Sequence, residues 1–131
     1  MIRLATLKDA NRIRSLIRSV EGCWDESWRI NTIELGIKSS DGLVFVFEKE
    51  EKILGFICAH DVGFRGYISE LIVSPNAQKQ GIGKALLQKI EEELQKRGCK
   101  TIIADVWKCA EGFYEKMDWS KPDVTLLRKK L

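Results

Sequence analysis

Residues 78–83, Gln-Lys-Gln-Gly-Ile-Gly, have the make-up of an anion-binding loop. They follow an apolar run, Leu71-Ile72-Val73, and a Ser74-Pro75-Asn76 break, and they lead into an amphipathic stretch from about Lys84 to Arg97. That order predicts a strand, a glycine-bearing loop and a helix. The first turn of a helix leaves backbone N–H groups without partners, and these groups, at the positive end of the helix dipole, attract phosphate. Glycine lets the anion reach the backbone because it has no Cβ. Two familiar spacings fail here. A P-loop needs a glycine five residues before its Gly-Lys pair and Ser or Thr after the lysine, but those positions hold Gln78 and Ala85. A dinucleotide fingerprint needs a third glycine, and position 86 is leucine, although Asp105 falls near the distance expected of its acidic residue. Upstream, strand alternation puts Glu70 on one face with Ile68 and Ile72. A carboxylate among apolar neighbours has a raised pKa and can take a proton directly or through water. The alternative is a half-exposed strand carboxylate paired with a lysine or arginine. Asp105 is the reserve candidate for the base.

A third spacing, Q/R-x-x-G-x-G/A, fits without exception, and through it the chain resembles the GNAT superfamily of acyl-CoA N-acyltransferases. The stretches 70–75, Glu-Leu-Ile-Val-Ser-Pro, and 81–87, Gly-Ile-Gly-Lys-Ala-Leu-Leu, resemble that family's central strand and helix. Residues 110–119, Ala-Glu-Gly-Phe-Tyr-Glu-Lys-Met-Asp-Trp, are similar to its A-x-x-F-Y-E-K-x-G-F/W segment, and residues 2–9 to its first strand and helix start. The resemblance implies an acetyl-CoA-dependent N-acetyltransferase that moves an acetyl group to a primary amine of a small molecule or peptide, directly, in a ternary complex. It implies that acetyl-CoA, the co-substrate, is held by Gln78, Lys79, Gln80, Gly81, Ile82, Gly83, Lys84 and Ala85, and that the backbone of Ile72 and Val73 polarises the thioester carbonyl. Glu70 is then the base. The resemblance also places the Tyr114 hydroxyl at the coenzyme sulfur as the acid, a role open to a phenol of pKa ~10. Two positions depart from the pattern: Asp118 stands where a glycine is usual and Trp107 where an asparagine is frequent. In this family the link between the first two helices borders the acceptor, which makes Trp24, Asp25 and Trp28 candidates for binding a cationic amine; the alternative is that the tryptophans are core. A non-catalytic coenzyme A-binding sensor or interaction module on the same fold is the second reading.

The elements that must position these residues suit one domain over residues 1–131. Strands are expected at 2–5, 43–48, 53–60, 67–73, 101–107 and 124–127, and helices at 10–20, 26–38, 84–97 and 110–117, with a hairpin turn at Lys49–Lys52. This is an α/β (α+β) pattern, with a mixed central sheet of about six strands flanked by helices. The crossover from 67–73 through the long helix to 101–107 makes those two strands parallel. The resemblance adds that they splay apart around the acyl-CoA site. A net charge of +3 with interspersed acids gives no nucleic-acid partner. Apolar runs of only a few residues give no membrane span, and Arg3 inside the opening strand argues for no secretory signal, hence a cytoplasmic protein. Four scattered cysteines and one histidine read as reduced thiols with no metal site. No residue points for or against a homodimer.

Overall fold

The computed structural model describes residues 1–131. Its elements run β1 (Ile2–Leu4), α1 (Ala10–Ser19), α2 (Thr32–Ser40), β2 (Val44–Lys49), β3 (Lys52–Asp61), β4 (Gly66–Val73), α3 (Ile82–Lys96), β5 (Ile102–Ala104) and α4 (Glu111–Lys116). One sheet has the order β1-β2-β3-β4-β5. The first four strands pair antiparallel, and β4 pairs with β5 in parallel, as a crossover through α3 requires. Glu50 and Glu51, both at positive φ, make the two-residue turn between β2 and β3.

Three expectations are corrected. The second helix starts at Thr32, not at 26, because Asp25 Oδ1 accepts the Ser27 N–H (2.8 Å) and hydroxyl (2.7 Å), a local turn that competes with helix. The strand expected at 101–107 is only three residues long. The strand expected at 124–127 does not form, so the sheet has five strands. Residues 124–127 have apolar side chains but no backbone partner, and Val124 and Leu127 stay 77% and 86% exposed. No helix is long and apolar enough to cross a membrane.

Helices cover both faces of the sheet. Ile13 and Ile17 of α1 and Ile33 of α2 pack with Val44, Val46, Phe56 and Ile72. Leu86, Leu87, Ile90 and Leu94 of α3 pack with Phe45, Ile57 and Ile68 on the other face. Neighbouring residues of β2 and β3 thus serve opposite cores, as a period of two demands. Two glycines let α3 lie close. A Cβ on Gly55 would stand 2.9 Å from Ile82 Cγ2, and one on Gly66 2.6 Å from Leu94 Cδ1. Both ends of α3 are seated this way, which sets its first turn beside the end of β4.

The first strand and helix are tied by charge. Asp9, 3% exposed, accepts two hydrogen bonds from the Arg3 guanidinium (2.9 Å each), one from Arg12 (2.9 Å) and one from the Thr6 N–H (2.9 Å). Arg3 and Arg12 also reach Glu48 on β2. The Arg3 hydrogen bonds hold the Asp9 carboxyl far below the usual carboxylate range. A depressed folded-state pKa adds stability above the unfolded value near 3.8 and loses it as pH falls below that. Asp9→Asn should therefore lower unfolding free energy at pH 7 by about 3 kcal/mol, and the difference should shrink toward pH 2. Urea unfolding at both pH values checks this; equal midpoints at pH 7 would refute it.

Candidate active site

The register of β4 places the central carboxylate. Cys58 on β3 stands opposite Glu70, but the next residue, Ala59, stands opposite Ile68. Ser69 is therefore the extra residue of a β-bulge. The bulge turns two consecutive side chains to one side: Ser69 and Glu70 line the same cavity under α2, while Ile68 packs against α3. Simple alternation had put Glu70 with both Ile68 and Ile72. Only Ile72 shares its face, since one inserted residue inverts everything beyond it. The adjacent polar pair Ser69-Glu70 is the only mark the bulge leaves in the sequence, and alternation alone does not read it.

Beside Glu70 the sheet opens. β4 and β5 pair only over Gly66–Ile68 and Ile102–Ala104, whereas β4 stays paired with β3 to Val73. The Ser74 N–H donates to Leu54 O on β3 at 2.7 Å. N–H directions alternate along a strand, so Val73's N–H points into the gap and Ile72's toward β3. The Val73 carbonyl accepts a bond from the Gln78 amide at 3.3 Å, which braces the loop on the strand end.

The loop follows directly. Lys79 (φ 66°) and Gly81 (φ 81°) are left-handed, and α3 begins at Ile82. None of the N–H groups from Gln78 to Lys84 finds a protein acceptor; the first bonded one is Ala85, to Gly81 O at 3.0 Å. Lys79, Gln80 and Lys84 are exposed, and neither lysine is in an ion pair. A Cβ on Gly83 would touch Phe113 Cζ at 3.4 Å and Val73 Cγ2 at 3.6 Å. The strand end, the loop and α4 thus meet around a position with no side chain.

Burial sets the titration of the groups at the gap. It pushes the Glu70 carboxyl up to about 7, with a further rise from the Asp105 charge. Asp105, the reserve base, accepts a 2.6 Å bond from the Tyr67 hydroxyl. Tyr114 is 8% exposed and packs edge-on against Phe113 and Trp119, with centroids 5.2 and 5.1 Å away. Burial, then Glu70 and Asp105, raise its hydroxyl to about 12. His60 Nε2 meets Ser69 Oγ at 3.0 Å, and burial lowers its pKa. The roles of Tyr67 and Ser69 were not legible in the sequence.

Of the three acceptor-side candidates, the fold brings only Trp28 to the cavity. Trp24 packs on the core with the Arg18 guanidinium 4.0 Å from its ring centroid, so its exposed face is already taken by a cation. Asp25 is exposed and holds the Ser27 turn.

A family model described as the acetyltransferase (GNAT) family matches residues 11–119. An acetyltransferase from Pectobacterium atrosepticum is 30% identical over 102 residues, covering 76% of this chain and 72% of that one. The structure of PaiA N-acetyltransferase from Thermoplasma acidophilum in complex with coenzyme A aligns with a TM-score of 0.82 at 20% identity, over 95% of this chain and 92% of that one. An aminoglycoside acetyltransferase from an uncultured soil metagenomic sample, bound to sisomicin, aligns with a TM-score of 0.77 at 23% identity over 100% and 95%. At these identities the structural likenesses establish the fold.

A carboxyl raised from 4.5 to about 7 in the folded state costs stability once it ionises. Glu70→Gln should thus raise unfolding free energy at pH 8 by roughly 2 kcal/mol, and the gain should fade as pH drops from 7 to 4.5. Thermal melts across that range test the sign; a destabilised variant at pH 8 would contradict it.

Proposed function

Because the chain belongs to the acetyltransferase (GNAT) family, we propose that this N-acetyltransferase moves an acetyl group from acetyl-CoA directly to a primary amine, with Glu70 as base and Tyr114 at the departing sulfur. The observation that carries this reading is the run of unpartnered N–H groups from Gln78 to Lys84, opening beside the gap between β4 and β5. A pyrophosphate fits there by hydrogen bonding and by the helix dipole, and Lys79 and Lys84 add charge. Acetyl-CoA supplies an activated thioester; the rest is positioning by the chain.

Val73's N–H faces the gap and can donate to the thioester oxygen as negative charge builds on it. Leu71's N–H, two residues back, points the same way. Glu70 at about 7 is half ionised near neutrality, which matches a base that must accept a proton from an ammonium or an attacking amine at that pH. When the amine nitrogen bonds to the carbonyl carbon, the C–S bond breaks with its electron pair going to sulfur, the nitrogen's proton goes to Glu70 directly or through water, and the thiolate takes a proton from solvent as it leaves. Tyr114 at about 12 keeps its proton throughout. That makes it a weaker acid than an ordinary thiol near pKa ~8.5, so its contribution is a hydrogen bond that strengthens as charge develops on sulfur.

Three of the four thiols are poor candidates for a covalent intermediate; the fourth, Cys109, is exposed. Burial raises the pKa of Cys23 and Cys99, and of Cys58 to about 11, so none of these is a ready thiolate nucleophile.

An acetyl-CoA turnover screen against amines, reading released thiol, tests the reading. kcat/KM should rise with pH through about 7, and Glu70→Gln should lower kcat about 100-fold and flatten that limb. Tyr114→Phe should lower kcat while leaving acetyl-CoA affinity within about twofold, since the phosphate loop is untouched. Tight coenzyme binding with no turnover of any amine would favour the non-catalytic module instead.

A further inference from the structure

A cavity of about 140 Å³ lies between α1, α2 and the bulged stretch of β4. Its walls are mostly apolar: Ile17, Trp28, Ile33, Ile37, Val44 and Phe56. Its polar groups lie on β4, the neighbouring Cys58 and the start of α2, and Glu70 is its only carboxylate. The bulge at Ser69 creates this arrangement by turning Glu70 off the α3 side. An apolar space of about 150 Å³ is large enough for a benzene ring. The acids that would hold a second cation are elsewhere. Asp25 is bound to Ser27, Glu26 is exposed and lies 4.0 Å from Arg18, and Asp105 takes the Tyr67 hydroxyl.

We propose that this cavity takes the side group of the acyl acceptor, which is a primary monoamine carrying a phenyl-sized or branched aliphatic group, with its nitrogen at Glu70. The proposal rests on the acetyl-transfer reading above and adds the substrate class. One carboxylate in the wall of an apolar cavity matches one ammonium on an apolar body. A polyamine or aminoglycoside would have to bury further ammonium groups against isoleucine and phenylalanine, with nothing to pair them. A free amine and the N-terminal residue of a peptide share this chemistry.

Gly36 of α2 offers a variant that leaves Glu70, Tyr114 and the phosphate loop alone. Gly36 lines the cavity, and a Cβ there would lie 3.6 Å from Cys58 Sγ, an ordinary contact, so alanine fits and a leucine would extend into the space. The test compares 2-phenylethylamine, 3-methylbutylamine, ethylamine, spermidine and a peptide beginning with phenylalanine, by turnover with acetyl-CoA and, separately, by amine binding read from tryptophan fluorescence. 2-Phenylethylamine or 3-methylbutylamine should exceed ethylamine in kcat/KM by about 10- to 100-fold. Gly36→Leu should abolish the difference between those amines and ethylamine, and Gly36→Ala should reduce it partly without loss of fold. The phenylalanyl peptide separates the two sources: turnover of the peptide above the free amine assigns the site to protein or peptide N-termini. Spermidine turned over best, or apolar amines that gain nothing over ethylamine, would overturn the cavity proposal and leave acetyl transfer standing. Apolar amines that bind, and lose binding in Gly36→Leu, without turnover of any amine would support the cavity and sink the transfer reading.

Discussion

One extra residue in β4 decides which face of the sheet Glu70 occupies. Without the bulge at Ser69, strict alternation would carry either Ile68 or Glu70 to the wrong core: the carboxylate under α3, or the isoleucine into the cavity under α2. With it, Ile68 completes the α3 core while Glu70 reaches an apolar space on the other face. The raised pKa of Glu70 follows from that placement, because removal from water is its largest cause. The same segment is where β5 leaves β4, so the half-buried carboxylate and the open strand edge lie side by side.

The second constraint is the seating of α3. Gly55 and Gly66 allow the helix to touch the sheet at both ends, so that its unpartnered first turn emerges at the end of β4. The loop therefore has two fixed walls: Val73, bonded through its carbonyl to Gln78, and Phe113 of α4, packed over Gly83. Tyr114 follows Phe113 and is held between two aromatic rings. Loop and hydroxyl are thus positioned from one hinge of contacts, although they lie more than thirty residues apart in the chain.

Much of this was legible beforehand. The loop spacing, the strand before it and the amphipathic helix after it are local patterns, and local patterns survive folding. The Asp9 cluster was half visible: Thr6 and Asp9 stand at capping distance, but nothing near them in sequence points to Glu48. The second helix began late because an aspartate preferred its own turn to a helix start. The apolar residues at 124–127 read as a strand, yet a strand exists only when another edge takes its hydrogen bonds. Trp24 and Trp28 looked alike in sequence, but only tertiary packing sends one to the cavity and covers the other with Arg18.

The sequence by itself determined the family and the order of strand, glycine loop and helix around Gln78–Gly83, because these depend on residue types at short, fixed spacings. The tertiary structure decided which face Glu70 occupies, which backbone donor turns into the gap and how large and apolar the neighbouring space is. Those properties depend on register and on contacts between distant segments, and one residue of slip in β4 reverses them with no change in composition.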